Sequence, residues 1–161
     1  MNQIIRKANI LDLEQINYLV KYSARVIQVQ FYKESAVETA LELIGGIEIL
    51  IQTGNFFVVE FEGKVIACGG ASPCAIEPHK AEIRSFFVLP EFARKGVATE
   101  LLKVCEEQCI RTGIELVFLT ATLAGEPFYK RRGFTELQRF QQPLSTGETY
   151  ELVKMQKKLQ A

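Results

Sequence analysis

The stretch from Glu82 to Leu102, EIRSFFVLPEFARKGVATELL, leaves this chain few ways to fold. Ile83, Phe86, Phe87 and Val88 are β-branched or aromatic, and Pro90 ends the run, so it reads as a strand. Pro90–Phe92 makes a turn, and Ala93-Arg94-Lys95-Gly96-Val97-Ala98 forms a short basic loop. The loop opens into a helix whose apolar positions Val97, Leu101, Val104 and Cys105 recur at helical spacing. The first N–H groups of such a helix lack an internal partner and point at whatever precedes it. Gly96 and the small Ala98 keep that approach clear, while Arg94 and Lys95 add positive charge. A helix start of this kind suits a phosphate or diphosphate. The dipole supplies only about 0.3–1 kcal/mol, and each charge-assisted hydrogen bond roughly 1.5–3 kcal/mol, so the whole cluster is needed. A plain connection with a solvated basic pair is the other reading. The three-glycine dinucleotide fingerprint and the closing Gly-Lys-Ser/Thr of a nucleotide-binding loop are both missing.

The remaining chain supplies elements on either side of this unit. Ile4–Ala8 reads as a strand, and a helix starts at or just before Asp12 with Leu13, Ile16, Leu19 and Val20 on one face. A second helix covers Ala36–Ile44 and is stopped by Gly45-Gly46. Phe56–Phe61 and Lys64–Ala71 form a hairpin around Glu62-Gly63. Cys68-Gly69-Gly70-Ala71 lets another backbone or a ligand approach closely. His79 lies in the loop Pro73–Lys80 and reads as exposed. Past the central strand Ala81–Val88 and the helix Gly96–Thr112 come a strand at Glu115–Thr120 and a short helix at Ala124–Arg132. Phe134–Phe140 and Tyr150–Leu159 are closing strands.

Composition narrows the class of function. Lys plus Arg and Asp plus Glu number 19 each, which gives no electrostatic footprint for nucleic acid or an anionic membrane. No apolar run is long enough to span a bilayer, and the N-terminus lacks a signal-peptide core. Cys68, Cys74, Cys105 and Cys109 form no CxxC pair, and they read as reduced, mostly packed thiols of a cytoplasmic protein. With one histidine, a zinc site is the weaker reading, so no metal is expected.

VLPEFARKGVATELL resembles the acetyl-CoA-binding motif of the GCN5-related N-acetyltransferases, Arg/Gln-x-x-Gly-x-Gly/Ala after a strand. Gly96 and Ala98 match its fourth and sixth positions, and Ala93 stands where the family usually has Arg or Gln. Phe128-Tyr129-Lys130-Arg131-Arg132-Gly133-Phe134 looks like the family's Phe-Tyr-x-x-x-Gly-Phe segment. The resemblance implies an α/β (α+β) fold: one domain over residues 1–161, with a mixed, mostly antiparallel central sheet. That sheet would have about six or seven strands, splayed at the middle, with about four flanking helices. It also implies a pantetheine arm lying in the splay against Phe86, Phe87 and Val88, with a main-chain N–H near Val88 polarising the thioester carbonyl. The diphosphate would sit at Arg94, Lys95, Gly96, Val97, Ala98 and Thr99.

Acetyl transfer needs a neutral amine, a donor for the carbonyl oxygen and a proton for the departing thiolate. Tyr129, matching the family tyrosine, is the expected general acid. Glu82, on the strand entering the site, is the expected base, directly or through water. A Glu82–Arg84 surface pair is the alternative for that residue. By the same resemblance, Ser23, Arg25, Phe31 and Tyr32 are candidates to line the acceptor groove. The expected activity is acetyl transfer from acetyl-CoA to a primary amine of a small molecule or peptide. A catalytically weak acyl-CoA sensor of the same fold is the alternative, and a homodimer is a family habit.

Overall fold

Strand β4 (Lys80–Val88) lies at the centre of one seven-stranded sheet with the order β1-β2-β3-β4-β5-β7-β6. The computed structural model describes residues 2–160. The other strands are β1 (Gln3–Lys7), β2 (Phe56–Phe61), β3 (Lys64–Pro73), β5 (Leu116–Thr122), β6 (Thr135–Pro143) and β7 (Thr149–Lys158). The helices are α1 (Leu13–Ile27), α2 (Glu34–Ala40), α3 (Ile47–Gln52), α4 (Val97–Arg111) and α5 (Glu126–Arg131). Every neighbouring pair of strands is antiparallel except β4 and β5. The mixed, mostly antiparallel sheet matches the expected fold.

Two differences concern helices. The described residues contain five α-helices, because Ile47–Gln52 is helical, a segment to which the sequence pattern assigns no element. Its N-cap, Gly46, takes φ +76, so the Gly45-Gly46 pair ends one helical segment and starts another. The predicted helix at Ala36–Ile44 begins earlier, at Glu34, and tightens to a 3-10 turn over Leu41–Leu43.

Four consecutive residues of β2, Phe56 through Val59, are buried, so both faces of the sheet are covered there. Helix α1 contributes Ile16, Leu19 and Val20 to the core, and α4 contributes Leu101, Cys105 and Cys109. Both helices pack on β3 and β4. Cys68, Cys105 and Cys109 are buried free thiols, as expected, and Cys74 is half-buried. Burial drives the Cys109 thiol up to about 11.

The entry to α1 is held by a capping box. The Asn9 side chain accepts from Leu11 N at 2.9 Å, and the Asp12 carboxylate accepts from Asn9 N at 2.8 Å. Arg6 adds two bonds to the same carboxylate, each 2.8 Å. A second, smaller core joins α2 to the β6–β7 hairpin through Ala36, Val37, Ala40, Leu144, Tyr150 and Leu152.

Candidate active site

The site begins with a register fault in β4. Cys68 pairs with Phe87 and Gly70 with Arg84, so β4 carries one residue more than β3 across this interval. Ser85 absorbs it at φ +57, and the Cys68 thiol donates to the Ser85 carbonyl at 3.4 Å. Such a bulge bends its strand and breaks the regular alternation of side chains. Phe86 therefore does not simply continue the face of Glu82 and Arg84. Its ring lies over Gly69, where a Cβ would sit 2.4 Å from Phe86 Cδ1. The neighbouring Gly70 accommodates the Asn55 carbonyl. The close approach expected at Gly69-Gly70 is thus made by this chain's own groups.

The consequence for β5 is a gap. The parallel pairing runs from Lys80↔Leu116 to Glu82↔Phe118 and then stops. Beyond it, β4 remains paired only to β3 and β5 only to β7. Leu89 N–H, just past β4, is bonded to Ile66 O on the β3 side at 2.8 Å. Strand alternation turns the preceding Val88 N–H away from β3 and toward the gap. The splay anticipated between these strands is present.

A cleft of about 1420 Å³ runs through the gap. Single small-molecule sites typically span about 300–1,000 Å³, so it has room for a long carrier and an acceptor together. Phe86, Phe87 and Val88 line it, as do Arg94, Gly96, Val97, Ala98 and Thr99. At its mouth Arg94 has φ +61 and Gly96 φ +81, which folds the loop so that α4 starts abruptly at Val97. Val97 borders the cleft but is itself only 1% exposed. Lys95 is the exception among the predicted residues. It is absent from the cleft lining, and its ammonium lies 5.6 Å from the centre of the Phe92 ring.

Two cations to which the sequence motifs assign no role stand at the same end. Arg131 and Arg132 line the cleft, and Arg132 donates to Thr99 Oγ1 at 2.6 and 3.2 Å while its guanidinium covers the Phe128 ring. They occupy the unspecified positions of the Phe-Tyr-x-x-x-Gly-Phe segment, so the only sequence signal was their charge. The open N–H groups of α4, Arg94, Arg131 and Arg132 fit a diphosphate-bearing carrier.

Tyr129 and Glu82 both line this cleft. The Tyr129 ring is half-buried between Phe128 and Phe134, with edge-on contacts at 5.1 and 5.5 Å. Burial, then the neighbouring Cys105, raises the Tyr129 phenol above its ordinary value, so it remains protonated. Its hydroxyl has no hydrogen bond to another described residue. Glu82 Oε1 lies 4.0 Å from Arg84 Nε, a loose pair at the limit of contact. The Arg84 fork is held instead by Gly45 O, 2.7 Å from Nη2.

Of the four groove candidates, Ser23 and Phe31 line the cleft. Arg25 is turned away in an exposed ion pair with Glu38. Tyr32 serves the packing of the fold instead. It stacks on Tyr150, donates to Glu151 O at 2.6 Å and accepts from Leu123 N at 2.9 Å. His79 is exposed and outside the cleft lining.

A splayed sheet, an open helix start and a long cleft lined by Tyr129 and Glu82 are the features to set beside known proteins. The acetyltransferase (GNAT) family model matches residues 11–134, and the chain belongs to that family of enzymes, the N-acetyltransferases. An uncharacterised N-acetyltransferase of Chlorobaculum tepidum is 30% identical over 139 residues, covering 84% of this chain and 77% of that protein. The amino-acid acetyltransferase of Pseudomonas syringae pv. syringae is 30% identical over 128 residues, or 68% of this chain but only 29% of that longer protein. The crystal structure of PaiA N-acetyltransferase from Thermoplasma acidophilum, in complex with coenzyme A, shares the fold. Its TM-score is 0.78 at 22% identity, with 98% of this chain and 99% of that chain covered.

Proposed function

We propose that this protein transfers an acetyl group from acetyl-CoA to a primary amine of a small molecule or peptide, by direct attack of the amine on the thioester. The observation that carries the reading is one continuous cleft. It joins the α4 N-terminus, the unpaired edges of β4 and β5, Tyr129 and Glu82. Among the described residues no helix is long and apolar enough to cross a membrane.

The α4 N–H groups with Arg94, Arg131 and Arg132 hold the diphosphate. The unpaired edges of β4 and β5 bond the amide groups of the pantetheine arm in the manner of an added strand. Acetyl-CoA supplies the activated acetyl group. Glu82 accepts a proton from the incoming ammonium, directly or through water, which frees the nitrogen lone pair. Val88 N–H donates to the carbonyl oxygen as negative charge grows there; losing one such donor typically costs about 3–4 kcal/mol. As the C–N bond forms and the C–S bond breaks, the Tyr129 hydroxyl gives its proton to the departing sulfur, and the second proton shed by the nitrogen as it becomes an amide restores the phenol through water.

The test is thiol release from acetyl-CoA with a mixed panel of primary amines. Tyr129→Phe is expected to lower kcat by roughly 10²–10⁴-fold while acetyl-CoA affinity stays within about threefold. Wild-type turnover by that variant would remove the phenol from the mechanism. Absence of acetylation of any amine by the native protein would refute the proposed reaction.

A further inference from the structure

The acceptor end of the cleft carries an unusual balance of charge. Among the described residues lining the cleft, Glu82 is the one carboxylate. Arg84 on β4 and Lys154 on β7, opposite Thr120, line the cleft near the last β4–β5 pair, while Arg94 precedes α4 and Arg132 bonds to Thr99 in its first turn. A polyamine or aminoglycoside would bring several positive charges against two cations and find a single anionic partner.

Arg84 is held in place by a feature distant in sequence. Its Nη2 donates to Gly45 O at 2.7 Å, and its guanidinium packs on Gly46. A Cβ at Gly46 would sit 3.1 Å from both Nη1 and Nη2, and φ +76 there further disfavours any side chain. The turn therefore fixes the fork while using only one of its nitrogens. Among the described residues Nη1 has no hydrogen-bond partner, and the contact of Nε with Glu82 stretches to 4.0 Å. A carboxylate and a guanidinium thus stand side by side on one strand face, weakly engaged with each other. An α-amino acid offers the mirror arrangement, an ammonium beside a carboxylate.

Contacts between α2 and the β6–β7 hairpin build one side of the cleft, where Val37, Ala40, Tyr150 and Leu152 line it. Ser35 Oγ to Glu148 at 2.8 Å and Ser145 N to Glu42 at 2.8 Å add to these contacts.

Resting on the acetyltransferase reading, we propose that the acceptor is a free α-amino acid whose carboxylate is bound by Arg84, pinned by the Gly45-Gly46 turn, with its ammonium at Glu82.

Thiol release from acetyl-CoA is measured with each common amino acid, with the corresponding carboxamides, with spermidine and with tripeptides of the same first residue. At least one amino acid is expected to surpass its carboxamide in kcat/KM by about 10–100-fold, the range set by a lost charge-assisted pair. Arg84→Gln is expected to raise KM for that amino acid by a similar factor, and to raise KM for its carboxamide by a much smaller one. Gly46→Ala should raise the same KM by displacing the fork. Carboxamides, spermidine or tripeptides used as well as amino acids would overturn the inference, as would an Arg84→Gln effect equal for amino acids and carboxamides. Should no amine react, the acetyl-transfer reading fails. Calorimetry on the CoA-loaded protein then decides the Arg84–Glu82 binding assignment separately: it stands if an amino acid binds and its carboxamide does not, and falls otherwise.

Discussion

Replacing Gly69 with alanine tests whether the gap between β4 and β5 depends on packing at the bulge. The new Cβ would lie 2.4, 2.5 and 2.8 Å from Cδ1, Cε1 and Cγ of Phe86. Nonbonded carbons settle near 3.5–4.0 Å, so the ring or the strand has to move by about 1 Å. Because Cγ is among the crowded atoms, turning the ring about its own axis does not relieve the clash. Overpacking of this kind typically costs about 1–3 kcal/mol. At about 2–4 °C per kcal/mol for a chain of this size, thermal unfolding should show Tm lower by about 2–12 °C. Phe86 also lines the cleft, so its displacement should weaken acetyl-CoA binding measured by calorimetry. In a double-mutant cycle with Phe86→Ala, the two changes should couple by at least about 0.5 kcal/mol, since the second removes the ring that the first strikes. Unchanged Tm and affinity in Gly69→Ala, or strictly additive changes in the double variant, would refute the argument.

Two further predictions concern pH. Arg6, followed by the Asn9 amide, holds the Asp12 carboxyl below its ordinary value of 3.8. The stability this contributes is full above pH 3.8 and is lost as pH falls through the lower folded value. Asp12→Asn should therefore destabilise the protein by about 2–3 kcal/mol near neutral pH, and the difference from wild type should shrink in acid unfolding curves toward pH 3 and below. The raised Tyr129 phenol predicts a kcat profile with no falling limb from phenol ionisation up to about pH 10, the ordinary tyrosine value. A falling limb near pH 9 that vanished in Tyr129→Phe would contradict this.

The strand–loop–helix unit proposed to hold the carrier was legible because it is local. Strand, loop and helix follow one another within Glu82–Leu102, and Gly96, Ala98 and Thr99 come together at the start of α4 without help from elsewhere. What was not legible depends on distant partners. Lys95 was read as part of the anion seat, yet it does not line the cleft and its ammonium lies 5.6 Å from the centre of the Phe92 ring. Arg132 reaches the start of α4 only because α5 returns to Thr99, 33 residues away. Arg84 takes its direction from a turn 39 residues away. Helix α3 was hidden because Gly45-Gly46 read as a stop, and its six residues are too few for helical periodicity to stand out from a strand. The placement of Phe86 rests on a bulge, and no residue type announces where one will fall.

In the proposed mechanism one cleft seats the carrier's diphosphate at the start of α4 and lays its sulfur beside Tyr129. A crystal structure of the protein with coenzyme A tests it most directly. The diphosphate oxygens are expected to bond to N–H groups of Gly96 through Thr99, and the sulfur to lie within hydrogen-bond reach of the Tyr129 hydroxyl. Coenzyme A bound elsewhere, or in this cleft with its sulfur remote from Tyr129, would contradict it.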